Sequence, residues 1–335
     1  MSQRSNGQLS KGQSSKGQSS KGLWRDTPPA IFPPVLGLFG VGLGWRRASE
    51  VLGAPDGISE MILGAVSLVF LTALVAYLAK VVRKPSIVMT DLQVLPGRAG
   101  LATGTMSMML FAAVLLPYAP DLARLTLILA LVAHALLAVL VFWVLVTGPA
   151  ERRRVTPVWL LTFVGFIAAP IAAVPLGWSA LSAFIFAATL PIVASIQLLS
   201  LLQFARQKVP APLRPLLAIH LASLSLFGIT SQLLGYEQVA LVFFTLASTL
   251  FVLFVLSAFY LTAAGFSPFW GAFTFPLASY GNLLLLRGAN GAGIFSTLGG
   301  IELVLATLVV VAIAGKIIRL WRQGKLARMT SAASI

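Results

Sequence analysis

The chain has no cysteine among its 335 residues, which excludes disulfides, thiol catalysis and cysteine-ligated metal sites. Acidic side chains are scarce as well, with nine Asp and Glu against 24 Lys and Arg. Charged residues together reach only 10 % of the sequence, where a soluble domain carries roughly 25 %. No Walker A loop, dinucleotide fingerprint, HExxH pair or Ser-His-Asp arrangement is present. Nothing therefore calls for a cofactor or a metal, and neither catalysis nor ATP-driven transport is expected. What fills the chain is apolar: 58 % of residues are hydrophobic and the mean hydropathy is +0.93. That composition describes an all-α protein that crosses a membrane many times. At roughly 25 residues per span with its turn, about ten helices fit the length. The net charge of +15 is the usual mark of a nucleic-acid partner, but its distribution points to membrane topology instead.

Residues 1–26 stand apart. Their repeat SKGQSSKGQSSKG is too polar to build a core and reads as a disordered basic cytoplasmic tail; a weak contact with anionic lipid is the alternative. It lacks the apolar stretch of a signal peptide. Residues 27–322 read as the transmembrane domain and 323–335 as a C-terminal cytoplasmic tail. The expected spans run about Pro29–Trp45, Ile58–Ala79, Ala99–Pro117, Leu125–Val146 and Thr156–Val174, then Trp178–Ala205, Pro215–Leu234, Val239–Ala264, Ser267–Arg287 and Ile294–Ile318. Even spans end in basic clusters such as Lys80, Arg83 and Lys84. Of all the Lys and Arg residues, only Arg46, Arg47, Arg124 and Arg287 fall on the other side. The positive-inside rule then puts both termini in the cytoplasm.

A repeat underlies the spans. Pro33, Pro96, Pro157, Pro212 and Pro268 mark the starts of odd spans at intervals of about 58 residues, the pattern of five duplicated helical hairpins. Odd spans are rich in small residues and proline: Pro33, Pro34 and Gly40 in the first, Gly104 in the third, Gly165 in the fifth, Ser223 and Gly228 in the seventh. Spans four, six and eight are greasier, dense in Leu, Phe and Val. Greasy even helices facing lipid around an inner ring of small, kinked odd helices is the natural sorting; close helix packing alone would also use small residues. The ninth span, SPFWGAFTFPLASYGNLLLLR, carries Phe273 and Phe275 and interrupts its own hydrogen-bond ladder at Pro276. Such a break is tolerated in hydrocarbon where the freed groups face protein or a water-filled cavity, so this helix is expected to line one.

The run from Trp270 through Phe275-Pro276 to Ser279, with Asn282, resembles the ninth span of the TehA-like tellurite-resistance and dicarboxylate transporter family, relatives of the plant slow-type anion channels. Phe32-Pro33-Pro34 leading into a Gly-rich first span, Pro157-Val158-Trp159 and Leu213-Arg214-Pro215 are looser matches, and the likeness covers about residues 27–322. The resemblance implies ten helices as five hairpins in pseudo-five-fold arrangement, odd helices inside, in a homotrimer with one pore per protomer. It also implies a bacterial-type inner-membrane protein that passes small inorganic or carboxylate anions. In that family a ninth-span phenylalanine plugs the pore, and the matching residue here is Phe275; Pro276 follows it where some relatives have glycine.

An aromatic ring in a pore lined by small residues excludes water and ions, so Phe275 is the candidate gate, with simple core packing as the alternative. The expected inner spans offer no buried Lys or Arg and no acidic ring. Selectivity for anions then falls to hydroxyl and backbone dipoles and to Arg98 and Arg214 at a basic cytoplasmic mouth, unless those arginines only snorkel to the interface. Intramembrane ionisable residues are candidate proton relays: His134, His220 and Glu302, the last with Arg287 as one possible partner. Three readings follow: a gated anion channel, a proton-coupled carrier of C4-dicarboxylates or of sulfite and tellurite oxyanions, and a non-transporting membrane partner.

Overall fold

Prolines open several helices of this chain, and a glycine closes the first. In a computed structural model describing residues 26–289, 291 and 293–333, Pro33, Pro96 and Pro120 stand in the first two positions of helices. There a missing N–H costs nothing and the fixed φ is already helical. Gly53 ends the first helix in the left-handed conformation, with φ of 69°, which a side chain would resist. The long elements are α1 (Phe32–Leu52), α2 (Asp56–Arg83), α3 (Leu95–Leu115), α4 (Pro120–Thr147), α5 (Leu160–Ala173), α6 (Ser179–Arg206), α7 (Ala211–Leu233), α8 (Glu237–Leu256), α9 (Gly271–Ala289) and α10 (Gly293–Arg322). Among the described residues there is no strand. The Ser- and Lys-rich repeat of residues 1–25 lies outside the described residues.

Two elements are irregular where the sequence breaks them. α5 opens with a π-helical turn at Leu160–Val164, tightens to 3-10 at Gly165–Ala168 and recovers an α-turn only at Pro170–Ala173. α7 is 3-10 over Ala211–Ala218, where Pro212 and Pro215 withhold donors, and α-helical from Ile219.

Among the described residues, seven helices are long and apolar enough to cross a membrane: α2, α3, α4, α6, α7, α8 and α10. The expected spans one, five and nine correspond to α1, α5 and α9, which fall outside that set for identifiable reasons. α1 runs past Trp45 to Leu52 and takes in Arg46, Arg47 and Glu50. α5 is short, and α9 mixes Leu with Gly, Ser, Asn and Arg287.

Burial sorts the helices. In its most apolar stretch α7 is 78 % buried, whereas α8 is 22 % buried. The outer helices expose Leu68, Val82, Phe142, Trp143, Leu201 and Leu256, an apolar coat far larger than water tolerates and suited to lipid. Inside, α1 and α9 approach closely because glycine leaves room. A Cβ on Gly40 would stand 2.9 Å from that of Ala278, and one on Gly44 would stand 3.0 Å from the Asn282 amide. Across this seam the Thr274 hydroxyl donates to Pro33 O at 3.1 Å, and Asn282 Nδ2 donates to Gly40 O at 2.9 Å.

Opposite ends of the molecule are fastened differently. At the end holding the starts of α1 and α3, Lys80 Nζ lies 3.3 Å from Asp91 Oδ2, both side chains fully buried. Lys80 also donates to Thr27 O at 3.2 Å, Tyr77 OH donates to Asp91 at 3.1 Å, and Ala333 N donates to its other oxygen at 2.8 Å. The chain after α10 therefore folds back rather than trailing away: Lys325–Met329 is helical and Leu326 is fully buried. At the other end Arg46 grips Glu60 at 2.9 Å with both side chains partly exposed, and the Tyr118 hydroxyl donates to the same carboxylate.

Candidate functional site

α9 runs through Pro276 without ending. Because Pro276 has no N–H, the Ala272 carbonyl loses its usual helical donor. Local side chains reinforce this stretch: the Thr274 hydroxyl donates to Gly271 O at 2.7 Å and that of Ser279 to Pro276 O at 3.1 Å. Asn282, at the next turn, adds a bond to Ala278 O at 2.8 Å while it holds α1.

Two chambers meet at this helix. The narrower has a volume of about 50 Å³ and is walled by the beginnings of α1, α3, α5, α7 and α9, with Pro33, Pro96, Leu161, Leu216 and Pro276 among its lining. Thr330, from the segment after α10, also reaches it. The wider has a volume of about 280 Å³ and is walled by later parts of the same helices: Gly40, Arg46 and Arg47 of α1, Ala113 of α3, Ile171 of α5, Ile229 of α7, and Ser279 and Asn282 of α9. Among the described residues, Phe275 alone lines both chambers. Its side chain is buried, with the Gly40 backbone against one edge of the ring.

The other residues singled out from the sequence are dispersed. Phe273 does not share the position of Phe275. Two residues along a helix is a turn of about 200°, so Phe273 packs edge-on against Trp270 with centroids 5.8 Å apart and lines an outward apolar groove with Phe251 and Phe254. Pro34 packs against Gly271, Gly104 against the Phe32 ring and Gly228 against Leu283, all as helix contacts. Gly165 and Ser223 share a void of about 10 Å³ between α3, α5 and α7. Ser223 donates to His220 O at 2.9 Å and receives Gln197 at 3.1 Å.

Arg98 is buried, while Arg214 donates to Val209 O and Tyr260 O and stacks 3.9 Å from the centre of the Tyr260 ring. Neither lines a chamber. His220 is buried beside a lateral groove that also holds Arg154 and Lys208. His134 sits against Gly165 with its Nδ1 2.6 Å from the Thr105 hydroxyl. Glu302 is buried against Gly281 of α9; among the described residues its Oε2 has no hydrogen-bond partner, and no ion pair joins it to Arg287.

The residue that the sequence reading missed is Arg47. Ending the first span at Trp45 placed Arg46 and Arg47 beyond the inner helices, whereas α1 carries both into the wall of the wide chamber. The signal available was the absence of any helix breaker between Trp45 and Gly53.

No curated protein matches this chain. The sequence model of the family SLAC1, described as a voltage-dependent anion channel, matches residues 26–318. That interval holds all five helices that wall the two chambers. The chain therefore belongs to the SLAC1 family of membrane anion channels and transporters, which contains the TehA-like proteins and the plant slow anion channels.

Proposed function

We propose that the chain conducts small anions along a path through the two chambers, and that the Phe275 ring closes it. The observation that carries this reading is the position of Phe275 in the lining of both chambers. A closed aromatic ring offers an ion neither a charge nor a hydrogen bond, so it blocks by bulk and by excluding water. Swinging it aside joins the chambers. Pro276, adjacent in the weakened part of α9, lets the ring and its helix move together. In this reading all ten long helices cross the membrane as five hairpins in pseudo-five-fold arrangement, with both termini in the cytoplasm of a bacterial-type cell. The trimer is what the family resemblance implies. Arg98 and Arg214 add positive potential at the cytoplasmic entrance without touching the ion.

The test is anion flux from liposomes containing the wild-type chain or Phe275→Ala, with chloride, nitrate and malate compared. A large chloride flux in the variant beside little in the wild type is the expected result. A folded Phe275→Ala protein that passes no anion overturns the gate.

One observation favours a second reading, a proton-coupled carrier of dicarboxylates or oxyanions. Glu302 presents an unpartnered carboxyl oxygen to the helix that bears Phe275, a suitable place for a proton to act on the gate. That reading expects saturable uptake that rises with a proton gradient and is lost in Glu302→Gln. The channel reading expects neither.

A further inference from the structure

We infer that Arg47 is the anion-binding residue of the wide chamber, and that its site takes one negative charge: a halide or a planar monovalent oxyanion such as nitrate or formate. The inference rests on the pathway proposed above and adds to it a specific site and a limit on charge. Of the polar side chains lining the wide chamber, most have their donors committed. Arg46 binds both oxygens of Glu60, at 2.9 and 3.2 Å, and Ala113 O at 3.3 Å. Ser279 donates to Pro276 O, and Asn282 donates to Gly40 O and Ala278 O.

Arg47 differs from all of these. Among the described residues it has no hydrogen bond and no ion pair, and its Nε is buried without a partner. A guanidinium carries five donors in a planar fork and cannot shed its charge. Half-buried in the wall of a polar chamber that opens toward solvent, with its Nε buried, it is best satisfied by an anion whose lone pairs meet that fork.

The surroundings set the charge of the guest. Glu50, one turn further along α1, also lines the chamber and attracts Arg47 without reaching ion-pair distance. Glu60 is already neutralised by Arg46. One cation is thus uncommitted, with one carboxylate nearby. Glu50 already offsets part of that charge, so a monovalent anion is the most the site holds, whereas the second carboxylate of a dicarboxylate would find no free cation and would face Glu50. Because Phe275 lines the same chamber, an anion held at Arg47 waits on the wide side of the closed ring.

The full chain in nanodiscs tests this by chloride NMR line broadening, which reads binding whether or not the path opens. The wild type is expected to show saturable broadening that nitrate or formate displaces at lower concentration than malate does, at matched ionic strength. Arg47→Gln is expected to weaken the saturable component about tenfold or more, the usual cost of losing a charged hydrogen-bond donor. Arg47→Lys retains part of it, and Glu50→Gln tightens chloride binding and narrows the gap between nitrate and malate. Unchanged broadening in an Arg47→Gln protein that melts like the wild type overturns the site, and malate competing as well as nitrate overturns the charge limit. Should Arg47→Gln fail to fold, Glu50→Gln decides, and unchanged chloride affinity in that variant is fatal. A Phe275→Ala protein without flux would sink the pathway while leaving these binding results standing.

Discussion

The two chambers share one aromatic ring and are otherwise opposites. The narrow one is framed by prolines and aliphatic side chains at the helix starts; the wide one is lined by two arginines, a glutamate, a serine and an asparagine. Their ends are fastened differently as well. Beside the narrow chamber the Lys80–Asp91 pair is fully buried and gathers Tyr77, Thr27 and Ala333 around it. Beside the wide chamber the Arg46–Glu60 pair is open to solvent, with Glu60 38 % exposed. Rigidity and access stand at different ends of the two chambers, and Phe275 stands where the chambers meet.

The contrast can be broken most sharply at the ring itself. If Phe275 contributes about 3 kcal/mol to the barrier, its removal in Phe275→Ala raises chloride flux about 100-fold, and Phe275→Leu, which refills much of the volume, gives far less. Next in size is Lys80→Met, which strands a buried carboxylate and should lower stability by about 3–5 kcal/mol, read as a loss in thermal melting. Adding Asp91→Leu to it should recover most of that loss. Asn282→Ala leaves the Gly40 carbonyl without its side-chain donor, a loss of about 1–3 kcal/mol in the same assay. Smallest is Arg46→Gln, at about 1 kcal/mol or less for a solvent-screened pair. Should Arg46→Gln prove as damaging as Lys80→Met, the proposed division between a rigid end and an accessible end would fail.

Much of this was legible from residue order because it rests on composition and period. Long apolar runs identify the outer helices directly, and Pro276 beside Phe275 marks the helix that borders a cavity. Side-chain direction was less accessible. Phe273 and Phe275 look equivalent in a string, yet a helix turns them to opposite sides. Arg47 was passed over because hydropathy ends a span at the first charges, while the backbone ends a helix at its breaker, here Gly53. Arg98 and Arg214 are expected at a mouth from their charge and their places at helix starts; neither is among the chamber linings, Arg98 being buried and Arg214 stacked on Tyr260. The return of residues 325–333 to Asp91 has no periodic signature, since a single backbone bond and one leucine carry it.

The uneven hydropathy of the helices also bears on how such a chain is made. α2, α4, α6, α8 and α10 are each apolar enough to leave a translocation channel for lipid unaided. α1, α5 and α9 are not in that class, and in the proposed topology each depends on packing against neighbouring helices to stay in the bilayer. α9, made after α2, α3, α4, α6, α7 and α8, would find most of that packing in place. The gate would then be among the final pieces set in place, so that no partly built copy holds an open path across the membrane.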